Sequence, residues 1–256
     1  MKSKGIAVPY VVWMALFVVA PLVLVVVYAF TTRDSGFTIE NFSSMLQYAG
    51  VFGRSFLLAF LATLICILLG YPLALLLARR GMAMLLIMLP MWMNFLLRTY
   101  SWVFLLERNG FFNTLLATIG LPKLDIIDTP AAVVLGMVYN FLPFMVLPIF
   151  SVIEKIDPRV IEAAQDLGAN NRQVFRRVLS GVTMVFIPSV STFVISRLLG
   201  GGKSLLLGDL IEMQFLGSAY NPHLGSAISL VMMIIVLLSM GLMNHFGEGE
   251  GEAVLL

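Results

Sequence analysis

Charge is scarce in this chain. Only 12% of its 256 residues are Asp, Glu, Lys or Arg, against about a quarter in ordinary soluble domains. That scarcity argues against a water-soluble enzyme and against a disordered chain. The net charge of +2 is too small to hold a nucleic acid by its phosphates. A single cysteine, Cys66, excludes an internal disulfide and a CxxC metal site. Two histidines, His223 and His245, lie too far apart for a zinc site, and no metal site is expected. HExxH and GxSxG are missing, so no catalytic residue is assigned. What remains is apolar: 60% of the residues are hydrophobic, and the mean hydropathy is +0.98.

Six apolar runs stand out: Val8–Phe30, Phe56–Ala78, Gly81–Leu106, Ala131–Ile153, Val182–Leu199 and Leu224–Phe246. A helix crosses a bilayer with roughly 20 apolar residues. The expectation is an all-α membrane protein of about six transmembrane helices, a single membrane domain over residues 1–256. Barrel strands would be shorter and would alternate in polarity. The first run is longer than a signal-peptide core and no small-x-small cleavage site follows, so it is read as an uncleaved span. Pro21, Pro72, Pro90, Pro143, Pro148 and Pro188 predict kinks, tolerated where neighbouring helices satisfy the freed carbonyls.

Lys and Arg set the orientation. With the N-terminus inside, Lys2, Lys4, Arg79, Arg80, Lys155, Arg159, Arg172, Arg176 and Arg177 are cytoplasmic, whereas Arg33, Arg54, Arg108, Lys123 and Lys203 are outside. The excess inside predicts two cytoplasmic termini. Outer segments Thr31–Arg54 and Glu107–Pro130 are long enough for short surface helices. Gly200–Pro222 is either a loop or a re-entrant hairpin beside a pathway.

The longest polar stretch, residues 154–179, carries the most information. Asp157 suits an N-cap, Pro158 a first helical residue and Gly168 a left-handed stop. Ile156 and Ile161 fit a hydrophobic staple. Asn170 or Asn171 can cap a second helix bearing Arg172, Arg176 and Arg177. Ala163 and Ala164 keep one side slim, with Glu162 and Asp166 as acidic handles four residues apart. Such a knob fits a groove in another protein; an amphipathic helix lying on the bilayer is the other reading.

Glu162-Ala163-Ala164 with Gly168 resembles the EAA loop of ABC-importer permease subunits, and the spermidine/putrescine type in particular. The likeness extends through Leu89–Tyr100, Gly136–Met145, Ala164–Ala169 and Ser191–Gly201. The resemblance implies a type I importer permease fold with a cytoplasmic coupling helix, in which Glu162, Ala163, Ala164 and Gly168 couple to an ATPase. It implies no cofactor in this chain, with ATP and Mg bound by the partner ATPase. The implied partners are a second permease subunit, two cytoplasmic ATPase subunits, an extracytoplasmic substrate-binding protein, a polyamine substrate and membrane lipid, and no nucleic acid. The implied location is the bacterial plasma (inner) membrane. The chain departs from the family pattern where Val178-Leu179-Ser180-Gly181 leads straight into Val182, so the fifth span is short and borrows from the coupling segment. The loop Arg79-Arg80-Gly81 is also short.

Ionisable residues inside spans are functional candidates by default. Arg98 and Arg197 qualify, as gates or in an ion pair with Glu107, Asp209 or Glu212; a structural or snorkelling arginine is the competing reading. A polyamine calls for spaced carboxylates and aromatic faces. Asp209 and Glu212 supply the acids, or else mark an external loop that meets the binding protein; Trp92, Tyr100, Trp102 and Tyr139 supply the rings, or form an interfacial belt. Asn94 sits among them. Sixteen methionines are scattered and read as core filling rather than Cu(I) ligands. Gly201-Gly202-Lys203-Ser204 imitates the end of a P-loop, but Arg197 stands where its first glycine belongs.

The leading expectation is therefore a permease subunit, not itself an enzyme, that forms half of a pathway. The alternative is a self-sufficient ion-coupled carrier or channel for a small solute. That class would show several mid-membrane charges and internal symmetry, and neither is evident.

Overall fold

The computed structural model describes residues 8–32, 36–78, 84–154, 172–217 and 219–247. The coupling segment at 155–171, with Glu162, Ala163, Ala164 and Gly168, lies outside the described residues. Among the described residues the structure is helical, apart from one isolated bridge between Thr31 and Phe37. Among the described residues, four helices are long and apolar enough to cross a membrane, at Val8–Ala29, Glu40–Ala78, Pro130–Ser151 and Pro222–Gly241. The expected third and fifth spans are each built from two shorter helices.

The chain forms two compact units: Met1–Gly50 with Leu210–Leu237, and Val51–Asp209 with Leu238–Leu256. In the first unit, α1 (Val8–Ala29) is apolar on every face, and only Ala29 is buried. A helix of that kind belongs in lipid or against another protein. Ahead of Pro21 it widens into a π turn at Ala15–Val19, where the Ala20 N–H reaches the Ala15 carbonyl. The ring of Pro21 cannot donate a hydrogen bond, and a π turn absorbs the mismatch. The end of α1 is tied by Asn41, whose amide donates to the Ala29 and Thr31 carbonyls at 3.0 and 3.1 Å. Asn41 lies on α2 (Glu40–Met45). Ala29 packs with Ala227 and Leu230, flanked by Phe30, Phe42 and Met233.

The second unit holds the main core. It is built on α3 (Ala49–Ala78), which carries Pro72, and takes in residues of α4 (Met84–Met88), α5 (Phe95–Leu106) and α7 (Pro130–Ile153), with Val185, Ile195 and Leu199 further along the chain. A short helix, α6 (Phe111–Thr118), lies between α5 and α7 in the chain. Small residues let the backbones approach. A side chain at Gly70 would press on Met145 of α7, and one at Gly136 would collide with Leu199 and approach Ile195 to 2.9 Å. Cys66 is buried between α3 and α7, its sulfur 3.9 Å from the Val138 carbonyl. The Glu107–Leu124 segment is folded around Asn113. That side chain donates to the Glu107 and Leu124 carbonyls at 3.0 Å each and accepts the Leu124 N–H at 2.7 Å.

α8 (Arg172–Ser191) merges what the sequence divides. The arginine-bearing helix after the coupling segment and the start of the fifth span are one helix, as the shortened linker requires. Ser189 and Ser191 bond back to carbonyls in the turn around Pro188. Such back-bonding with a proline loosens a helix, and α8 stops at Ser191. After Thr192 and Phe193 the chain resumes as α9 (Val194–Leu199). Gly201 and Gly202 then turn at φ +56° and +71°, and the Asp128 carboxylate occupies the space of a Gly201 side chain. Lys203 pairs with Asp128 at 3.3 Å. The P-loop imitation is thus a tight turn closing α9. Gly200–Pro222 contains a helix, α10 (Leu207–Leu216), followed by α11 (Pro222–Gly247).

Gly136→Val should overpack the contact between α7 and α9 and cost about 1–3 kcal/mol. Thermal unfolding of the detergent-solubilised chain, compared with Gly53→Ala at an open position, checks this.

Candidate functional site

The third apolar run is interrupted where its polar residues cluster. After α4 comes a 3₁₀ turn, Leu89–Trp92, and then Met93 is extended at φ −76°, ψ 148°. Asn94 begins α5 as its N-cap, accepting the N–H groups of Leu96 and Leu97 at 2.8 and 3.4 Å. Asparagine competes for backbone donors in this way and favours helix starts over helix interiors. The break leaves the Pro90 carbonyl without its helical partner. It accepts from the Met93 N–H at 3.2 Å and from Arg98 Nη1 at 3.0 Å.

Arg98 is therefore a strut across the break. It is 7% exposed. Its guanidinium carbon lies 6.0 Å from the Phe95 ring centroid and 5.9 Å from that of Tyr139, within cation–π range. The sequence reading pairs an arginine here with Glu107, Asp209 or Glu212; the structure gives Arg98 a carbonyl and two ring faces instead. Trp102 joins this cluster edge-on to Tyr139 at 5.2 Å and stacked with Phe112 at 6.4 Å. Trp92 and Tyr100, by contrast, are exposed. The structure so divides the expected ring set into a packed pair around Arg98 and two outward faces.

Asn140 is a lone amide in the apolar run Ala131–Ile153, and that isolation is its sequence signal. It is buried on α7, donating to the Gly136 carbonyl at 2.9 Å and approaching Thr99 Oγ1 at 3.4 Å. Its Oδ1 and Arg98 Nε are buried atoms without a hydrogen-bond partner among the described residues. A groove of about 610 Å³ between α3 and α7, from Leu58 to Val138, is lined by apolar side chains and offers an ammonium group nothing.

Asp209 and Glu212 both fall on α10, as expected of residues three apart that share a face. Asp209 is 8% exposed. Its Oδ2 accepts from Ser196 Oγ at 2.6 Å and from the Leu206 N–H at 3.0 Å. The next amide, that of Leu207, donates to Ser55 Oγ at 2.8 Å. Asp209 thus braces the start of its own helix, much as the acidic partner in a capping box does. Glu212 is half-buried, and Arg197 on α9 is exposed. Ser55 and Ser196 escape sequence reading, because serines in apolar runs are common and their partners lie far away in the chain. Among the described residues, no three His, Cys, Asp or Glu come together to hold a metal.

Asn94→Ala should cost about 1 kcal/mol through loss of the cap, and Asn94→Asp should restore most of it. Faster hydrogen exchange at Leu96 and Leu97 in the alanine variant checks this.

No protein-family model matches the chain. The spermidine/putrescine transport system permease protein PotB of Haemophilus influenzae is 38% identical over 250 residues, covering 88% of this chain and 87% of that protein. Among solved structures, a bacterial ABC transporter involved in import of the acidic polysaccharide alginate matches with a TM-score of 0.71 at 16% identity, over 97% of this chain and 95% of that one. A bacterial alginate ABC transporter in complex with a periplasmic protein carrying an alginate pentasaccharide matches at 0.68 and 17% identity, over 94% and 92%. The two structures share the fold; the 38% identity along nearly the full length of both chains goes further, and the chain belongs to the family of spermidine/putrescine transport system permease proteins.

Proposed function

We propose that this chain is a membrane-spanning subunit of an ATP-driven polyamine importer in the bacterial inner membrane. It forms half of the translocation pathway, and a second permease subunit supplies the other half. The observation that carries the reading is the 38% identity to PotB along 88% of the chain. Supporting it are the apolar helices, the broken third and fifth spans and the polar segment at 154–179. Six crossings follow from the six apolar runs, and cytoplasmic termini from the distribution of Lys and Arg.

In this reading two cytoplasmic ATPase subunits bind ATP and Mg and hydrolyse the nucleotide; this chain binds no cofactor. Glu162, Ala163, Ala164 and Gly168 form the peg that seats in an ATPase cleft. Closure of the ATPase pair moves the pegs, and the membrane helices tilt between inward- and outward-facing states. An external binding protein delivers the substrate; the alginate transporter of the same fold is in complex with an alginate pentasaccharide-bound periplasmic protein.

A polyamine carries several ammonium groups, and cation–π contact suits it. Trp92 and Tyr100 present exposed faces for that purpose. Arg98 repels such a substrate, so its part is to hold the break rather than to bind. Trp102 and Tyr139 support Arg98 from behind. Arg197, near the outer end of the fifth span, serves as a gate.

The assembled transporter in vesicles, given spermidine, putrescine and amino-acid controls, tests the substrate class. Polyamines should stimulate ATP hydrolysis and uptake; stimulation by the controls alone would refute the assignment. Gly168→Trp should leave the complex assembled but separate hydrolysis from uptake. The purified chain alone, under an ion gradient, should move nothing; uptake there would favour a self-sufficient carrier.

A further inference from the structure

The second break differs from the first in what fills it. α8 ends at Ser191, and the carbonyls of Ser191 and Thr192 occupy the space that a side chain at Gly208 would need, with the Thr192 oxygen 2.7 Å from such a Cβ. Gly208 is the second residue of α10. The carbonyl end of one helix therefore abuts the amide end of another, backbone against backbone, with opposite partial charges facing. Asp209, beside Gly208, ties this turn to α9 through Ser196, and Ser55 anchors it to α3.

We propose that Gly208, Asp209, Ser196 and Ser55 form a mechanical joint that passes movement of α8 into the first turn of α10 during transport. The proposal rests on the reading of 154–179 as the coupling segment. α8 starts at Arg172, directly after the undescribed residues of that segment, and is 20 residues long, about 30 Å at 1.5 Å per residue. A push on its start arrives at Ser191. No side chain stands between the Ser191 and Thr192 carbonyls and Gly208 to absorb it by changing rotamer. α9 follows, because Ser196 and the Leu206 amide share one oxygen of Asp209. The four residues are positioning residues, and Asp209 acts here as a hydrogen-bond acceptor rather than a ligand for an ammonium group.

The test uses the assembled transporter in vesicles, with spermidine as probe, and measures uptake per ATP hydrolysed beside the KM for uptake. Gly208→Ala and Asp209→Ala should lower uptake per ATP by about fivefold or more, the lower end of typical coupling between sites. Asp209→Asn keeps an acceptor oxygen for both bonds and should stay within about twofold of the parent, with an unchanged KM. Should Gly208→Ala fail to assemble, Ser55→Ala with Ser196→Ala removes the ties by smaller changes and should show the same loss. Unchanged uptake per ATP in Asp209→Ala and in the double serine variant would overturn the joint. So would an Asp209→Asn variant as damaged as Asp209→Ala with a raised KM, which would mark a substrate carboxylate. Gly168→Trp, run alongside, separates the two ideas: coupled transport in that variant with loss at the joint counts against the peg alone, and the reverse counts against the joint.

Discussion

A bilayer interior offers no hydrogen bonds, so every interruption of a helix there must be closed by the protein itself. This constraint explains why the polar side chains of this chain lie where they do. The third span breaks at Met93, and three groups seal it: the Asn94 cap, the Arg98 guanidinium on Pro90 and the rings of Phe95 and Tyr139. The expected fifth span breaks at Thr192 and Phe193, where Asp209 and Ser55 accept the Leu206 and Leu207 amides and Ser196 donates to Asp209. Buried Ser55, Arg98, Ser196 and Asp209 are the cost of having broken helices at all.

The break at Met93 joins helices that need not move as one. An unbroken span transmits rotation along its whole length, whereas a capped break lets the two halves tilt apart while each keeps its own backbone bonds. For a permease, whose work is to expose one pathway to two sides in turn, that freedom is useful. The buried Arg98 guanidinium is occupied with backbone, through the Pro90 carbonyl.

Much of the fold was legible in the sequence because hydropathy reports burial in lipid directly. The boundaries of α1, α7 and α11 fall within a few residues of the apolar runs. The short helices α2 and α6 lie where the linking segments had room for them. The breaks were less legible, since a run such as Gly81–Leu106 stays apolar across a two-residue interruption. The local clues were present in Pro90 and Asn94, but proline also occurs inside unbroken helices here, as Pro72 and Pro143 show. The role of Asp209 was out of reach for a different reason. One of its partners, Ser196, is 13 positions away, and Ser55 is 152 positions from the amide it serves. No spacing rule connects them; only the packing of α3, α9 and α10 does. The proposed coupling motif at Glu162, Ala163, Ala164 and Gly168 lies outside the described residues, and its reading rests on local capping chemistry and family likeness alone.

The burial of Cys66 between α3 and α7 has a practical corollary. The natural thiol is shielded by apolar neighbours and sits among carbon atoms rather than beside a base, so a hydrophilic maleimide added from either side of the membrane has little access to it. A cysteine introduced at Trp92, Tyr100 or Arg197 would report its own exposure against a nearly silent background, and the route of solute through the wild-type core could be charted without first removing any residue from it.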